Sequence, residues 1–207
     1  LKIGVFGGSF DPVHKGHIEL LQAFSKAIVP DKLLVIPAFV SPFKQKSGAA
    51  LPHQRLEMCR LAFAELPDTE VCDLEIRREG PSYTYETLQT LSQLYPHSQL
   101  YFLTGADSFL TIQNWKRPDI ILQLATVCAA PRNTADMAAL EQHAAFLQRS
   151  GGRTELLNVR IMTVSSTDIR RRVRDGESIT ELVPPAVEAY IHRNRLYLTG
   201  QVSGSDK

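Results

Sequence analysis

The chain has 207 residues, a formal net charge of +1, 43% hydrophobic residues and 22% charged ones. That length suits one good-sized domain of ordinary soluble composition, and the near-zero charge argues against the broad basic field of a nucleic-acid binder. No apolar run approaches a membrane span, no signal peptide is visible, and the separated cysteines Cys59, Cys72 and Cys128 lack a CxxC, which argues against a disulfide framework or zinc knuckle and for a reducing cytosol.

Strands and helices alternate from end to end. Lys2–Phe6 reads as a buried strand, His17–Ile28 as a helix and Lys32–Ile36 as a second strand, which together make a right-handed βαβ unit. Pro37 to Pro52 is a Pro-, Ser-, Gly- and Lys-rich loop, long enough to be a working loop. Pro52–Glu65 predicts a helix, Val71–Ile76 an alternating strand, and Thr84–Leu94 a helix with Leu88, Leu91 and Leu94 in phase. Leu100–Leu103 and Thr126–Ala130 read as further strands. Met137–Leu147 and Thr167–Val173 read as helices on either side of a Val159–Val164 strand, and Val187–His192 as a last short helix. The pattern predicts an α/β fold, a doubly wound and mostly parallel sheet with helices on both faces. It fits a single domain over 1–198, with a C-terminal helical part from about 165 and a polar, flexible tail over 199–207. A first residue other than Met, Leu1, suggests a trimmed or engineered start.

The most informative segment follows the first strand: Gly7-Gly8-Ser9-Phe10-Asp11-Pro12-Val13-His14-Lys15-Gly16-His17. Two glycines at a strand-to-helix turn let a phosphate approach the backbone, and the next helix offers N–H groups and a positive dipole end. His14 and His17, three apart, can face one anion. The bland readings are a tight turn, or a metal-binding pair that would need a third ligand. It is neither a Walker loop nor a GxGxxG segment. Other candidate segments also follow predicted strands: Lys44 after the second, Gly105 and Asp107 after Leu100–Leu103, and Ser165 to Arg170 after Ile161–Val164. In open parallel sheets, ligands bind at those carboxyl ends.

Val164-Ser165-Ser166-Thr167-Asp168-Ile169-Arg170 opens a helix with three hydroxyls, and an N-cap with a charged face is the plain alternative. The basic run Arg170 to Arg174 fits a solvated face, a phosphate site or both. Gly80-Pro81-Ser82-Tyr83-Thr84 is a capped turn beside Arg78, Asp107 fits a helix cap, and the lone Trp115 fits a core residue or a flat platform for an electron-poor ring.

The segment Gly7 to His17 closely resembles the HxGH signature of the nucleotidyltransferase superfamily, in the longer form most similar to bacterial nicotinate-nucleotide adenylyltransferases. Val164 to Arg170 resembles the family's Ile-Ser-Ser-Thr-x-Ile-Arg motif with valine first, and Gly80 to Thr84 resembles its Gly-Pro-Ser-Tyr-Thr segment. The resemblance runs from Ile3 to about Leu198. It implies a Rossmann-like fold with ATP bound by Gly7, Gly8, Ser9, Phe10, His14, His17, Gly105, Asp107, Ser166, Thr167 and Arg170. It further implies nicotinate mononucleotide bound by Ser9, Lys44, Tyr83, Thr84, Trp115, Lys116 and Arg132. His14, His17, Lys44 and Arg170 are the implied catalytic residues. Two segments depart from type: Phe43 replaces the usual histidine before Lys44, and Arg132-Asn133-Thr134 stands where Arg-Pro-Gly is usual.

The implied reaction is adenylyl transfer from ATP to nicotinate mononucleotide, giving deamido-NAD and pyrophosphate, with Mg²⁺ held mainly by the ATP phosphates and no protein metal site. Another phosphate acceptor, such as nicotinamide mononucleotide or phosphopantetheine, is the alternative within the superfamily. A nucleotide-binding module without turnover is the alternative outside it. No nucleic-acid or membrane partner is expected, the protein is expected in the cytoplasm, and a homo-oligomer is left open.

Overall fold

The computed structural model describes residues 1–42, 49–131, 134–159 and 162–198. Six parallel strands form one sheet: β1 (Lys2–Gly8), β2 (Lys32–Pro37), β3 (Thr69–Val71), β4 (Gln99–Gly105), β5 (Ala125–Ala130) and β6 (Arg153–Leu156). Their order across the sheet is β3-β2-β1-β4-β5-β6. The direction of winding reverses between β1 and β4, which opens a crevice at the carboxyl ends of those two strands.

Both faces of the sheet are buried, and side chains alternate between two cores. Phe6, Leu33, Val35, Leu103 and Cys128 lie on one side, with Leu21 and Phe24 of α1 (Lys15–Ile28) and Met58 and Phe63 of α2 (Pro52–Phe63). Ile3, Val5, Leu34, Ile36 and Phe102 lie on the other. There they meet Leu88 and Leu91 of α4 (Thr84–Leu94), Phe109 of α5 (Ala106–Phe109), Ile121 of α6 (Pro118–Leu124) and Leu140 and Leu147 of α7 (Thr134–Arg149). The last helices, α8 (Ser166–Arg174) and α9 (Pro185–Arg193), add Ile169, Val173, Val187 and Ile191 to the first core. No helix among the described residues is long and apolar enough to cross a membrane.

Two predicted strands are corrected. Over Val71–Ile76 the strand ends at Val71, and Leu74–Arg78 is a short helix, α3, braced by an Arg77–Asp73 ion pair at 2.7 Å. Six alternating residues satisfy either form, and β3 is an edge strand with one neighbour to extend it. The expected Val159–Val164 strand is replaced by β6, pairing Thr126–Ala129 of β5 with Arg153–Leu156. Positions 160 and 161 lie outside the described residues, as does the tail expected over 199–207. β6 escaped detection because Arg153 and Glu155 face solvent while Thr154 and Leu156 are only half-buried. The short helices α5 and α6 were likewise not expected from periodicity.

The loops at the carboxyl ends are held by a charge in the core. Arg55, on the apolar face of α2, is 5% exposed. Its guanidinium donates to the carbonyls of Ser9 at 2.7 Å, Phe39 at 2.8 Å and Ala50 at 3.3 Å. Burial lowers its pKa, and the neighbouring Asp11 carboxylate opposes that shift. Arg55→Met keeps the apolar stem but strands three carbonyls, so it should cost about 3 kcal/mol of stability. Urea unfolding of the purified variant checks this, and an unchanged midpoint would contradict it.

Candidate active site

β1 delivers Gly7 and Gly8 to the crevice, and the chain then folds back before entering α1. A methyl group built on Gly8 would lie 3.0 Å from the Phe10 ring, which curls underneath the turn with φ +47°. The ring of Phe10, one of the residues expected at ATP, is buried and packs edge-on against His17 with centroids 5.0 Å apart, which leaves its backbone for any nucleotide contact. It therefore supports the histidine from below. His14 and His17 stack with ring centroids 3.6 Å apart and planes at 23°. The His14 backbone N–H donates to His17 Nδ1 at 3.2 Å. An accepting Nδ1 carries no proton, so the His17 ring holds its proton on Nε2, as an N–H donor.

The second motif docks onto this turn. Ser166 Oγ donates to the Pro12 carbonyl at 3.0 Å, and Arg170 Nη1 to the Asp11 carbonyl at 2.7 Å. Arg170 Nη2 also donates to Thr167 Oγ1 at 3.3 Å, and Ser165 Oγ caps α8 by accepting from the Asp168 N–H at 3.1 Å. Just upstream, the Met162 N–H donates to Glu19 at 2.7 Å. A side chain on Gly16 would sit 3.0 Å from the Met162 carbonyl, so the glycine admits this approach. Residues about 150 positions apart thus form one cluster of hydroxyl, imidazole and guanidinium donors around the start of α1. The rest of the basic run is a solvated network, with Arg171 and Arg172 paired to Asp168 and Glu177.

The Gly7–Ser9 turn also lines a cavity of about 530 Å³. Its walls include Gly7, Gly8, Ser9, Thr84, Asp107 and Trp115. Trp115 stands edge-on to Phe102, with centroids 6.1 Å apart, and presents an aromatic surface. Thr84 opens α4, whose positive end faces the same space. The Tyr83 ring does not line the cavity. Lys116 Nζ sits 4.0 Å from its centroid, so the two expected substrate contacts pair with each other beside the pocket. Gly105 precedes Asp107 at the end of β4, while Lys44, its neighbour Phe43 and Arg132 lie outside the described residues.

Sequence reasoning gave no role to four residues that hold this site together. Asp11, 8% exposed, accepts on Oδ1 from the Ala50 N–H at 3.0 Å and the Tyr197 hydroxyl at 2.8 Å, with Arg170 Nη1 3.9 Å from Oδ2. Arg55 clamps the loops. Glu75 is buried, lines the cavity, and accepts hydrogen bonds from Thr87 and Ser82. Ser82 Oγ in turn accepts from the Phe39 N–H at 2.9 Å, tying the loop after β2 to the Gly80–Thr84 segment. Arg55 carried a readable signal, a charge in phase with an apolar helix face. Asp11 was visible only as part of the Phe-Asp-Pro string.

Over residues 5–172 the chain matches the family described as cytidylyltransferase-like. It is 40% identical over 199 residues to a "Probable nicotinate-nucleotide adenylyltransferase" of Synechococcus sp. (strain JA-3-3Ab), covering 95% of each chain. A relative of the same name from Thermus thermophilus is 37% identical over 199 residues, covering 95% of this chain and all of the relative. In fold it is similar to Plasmodium falciparum nicotinic acid mononucleotide adenylyltransferase complexed with NaAD. The TM-score is 0.78 at 21% identity, over 95% of this chain and 97% of that one.

Burial pushes the Glu75 carboxyl above its ordinary value of 4.5, against the hydrogen bonds and the Arg78 charge that pull it down. The folded state therefore binds its proton more tightly than the unfolded chain does. The stability this contributes is full below about pH 4.5 and is lost as pH rises through the elevated value. Glu75→Gln should flatten that decline in a series of unfolding midpoints from pH 4 to 8. A variant whose profile parallels the parent's would contradict it.

Proposed function

Because the chain belongs to the cytidylyltransferase-like family and, within it, to the nicotinate-nucleotide adenylyltransferases, we propose that it transfers the adenylyl group of ATP to nicotinate mononucleotide in NAD biosynthesis. The products are deamido-NAD and pyrophosphate. One observation carries the division of labour. The Gly7–Ser9 turn is a wall of the aromatic cavity and also leads into the cluster of phosphate donors.

In this reading the triphosphate lies against the start of α1 and the hydroxyl-rich start of α8. The nicotinate ring lies in the cavity against Trp115, with Thr84 and the positive end of α4 toward its carboxylate. Asp107 accepts from the adenosine ribose. The acceptor's 5′-phosphate oxygen attacks the α-phosphorus as the bond to the pyrophosphate oxygen breaks. A phosphate monoester is already a competent nucleophile, so no general base is required. The protein's work is alignment and stabilisation of charge on the leaving pyrophosphate. His17 Nε2–H and the Arg170 guanidinium suit that task, and Lys44 would add a further positive charge.

A magnesium ion, when bound, spreads charge over the triphosphate oxygens. The donor set fits an ion carried on the nucleotide. Around the start of α1 it is made mostly of imidazole, hydroxyl and guanidinium groups, and the buried Asp11 carboxylate is engaged by protein donors on Oδ1. Three free cysteines fit a reducing cytoplasm.

Pyrophosphate release with ATP and Mg²⁺ should be strong with nicotinate mononucleotide and weak with nicotinamide mononucleotide or phosphopantetheine. His17→Ala should lower kcat by about 10² to 10³ with little change in KM for the acceptor. Trp115→Ala should instead raise that KM and leave the KM for ATP near its original value. Preference for another acceptor would discard the pocket assignment, and no release with any of the three would overturn the reaction.

A further inference from the structure

We propose that Tyr197 is a positioning residue for the adenylyl transfer, acting through Asp11 on Arg170. This rests on the functional reading above and extends it to a residue outside both the cavity and the phosphate motifs.

Tyr197 lies in the turn after α9, where the Leu196 N–H bonds back to the Ile191 carbonyl at 3.0 Å. Its ring belongs to the core beneath the site, and the residue is 9% exposed. The hydroxyl crosses 186 residues of sequence to donate to Asp11 Oδ1 at 2.8 Å. Burial, followed by the Asp11 charge, holds the phenol well above the ordinary tyrosine range, so it stays a donor at neutral pH.

The same carboxylate stands at a choice. Oδ1 takes the Tyr197 and Ala50 donors, while Oδ2 stands 3.9 Å from Arg170 Nη1. Arg170 directs that nitrogen at the Asp11 backbone carbonyl instead, at 2.7 Å. Tyr197 thus draws the negative charge toward the core and away from Arg170. Without the hydroxyl, the buried Asp11 carboxylate must recover a donor nearby, and the Arg170 guanidinium is the charged one beside it, at 3.9 Å. A closed Asp11–Arg170 pair would turn the guanidinium from the phosphates and cancel much of its charge.

Tyr197→Phe removes one oxygen and keeps the ring. The expected result is a roughly tenfold fall in kcat, with KM for nicotinate mononucleotide within about twofold of the parent. In an Arg170→Ala background the same substitution should cause no further fall, because the effect passes through the guanidinium. A purely structural anchor would lower the unfolding temperature and leave kcat per folded molecule unchanged, and that result would overturn the proposal. So would a fall in kcat of the same size in both backgrounds. Parent turnover with nicotinate mononucleotide is measured alongside. If the parent does not turn over, the reaction assignment fails and takes this proposal with it. If the parent turns over and Tyr197→Phe matches it, only this proposal fails.

Discussion

One buried carboxylate joins parts of the chain that are far apart in sequence. Asp11 and its own backbone carbonyl receive Ala50, 39 residues on, Arg170, 159 residues on, and Tyr197, 186 residues on. Such a group is costly to bury unless its charge and lone pairs are met. Here they are met by groups from the loop after β2, from α8 and from the turn after α9. All three elements therefore dock on the turn after β1. The site is therefore a product of the whole fold.

The electrostatics follow from that arrangement. Binding two phosphorylated substrates calls for positive charge and N–H donors, with no carboxylate charge directed at the phosphates. Asp11 is the nearest negative group to Arg170 among the partners described, and its charge is directed inward. Its neighbour Arg55 spends its donors on carbonyls of the same loops, fixing their backbone. The more distant acids Asp168 and Glu177 are absorbed by Arg171 and Arg172. His17 and the start of α8 are thereby held together around the start of α1.

Much of the fold was legible in the sequence. Strands buried on both faces, such as β2 over residues 33–37, are continuous apolar runs, and α1 and α4 show clean periodicity. β6 was missed because a half-exposed edge strand alternates polar residues, and α3 because a short alternating run fits two forms. The site was legible where chemistry depends on a local string, as in Gly7–His17 and Ser165–Arg170. It was not legible where one side chain serves another. Nothing local marks Tyr197 as the partner of Asp11, and the packing of Phe10 under Gly8 depends on a left-handed backbone angle that sequence does not display. Likewise, the placing of Lys116 over the Tyr83 ring is a pairing across 33 positions that nothing local displays.

The central claim is that the two substrates meet across the Gly7–Ser9 turn. A crystal structure of the protein with a non-hydrolysable ATP analogue and nicotinate mononucleotide tests it most directly. The account predicts the triphosphate against His14, His17 and the start of α8, the pyridine ring against Trp115, and the acceptor phosphate facing the α-phosphorus over Gly8. An adenine ring in the cavity beside Trp115, or a triphosphate remote from α8, would contradict it.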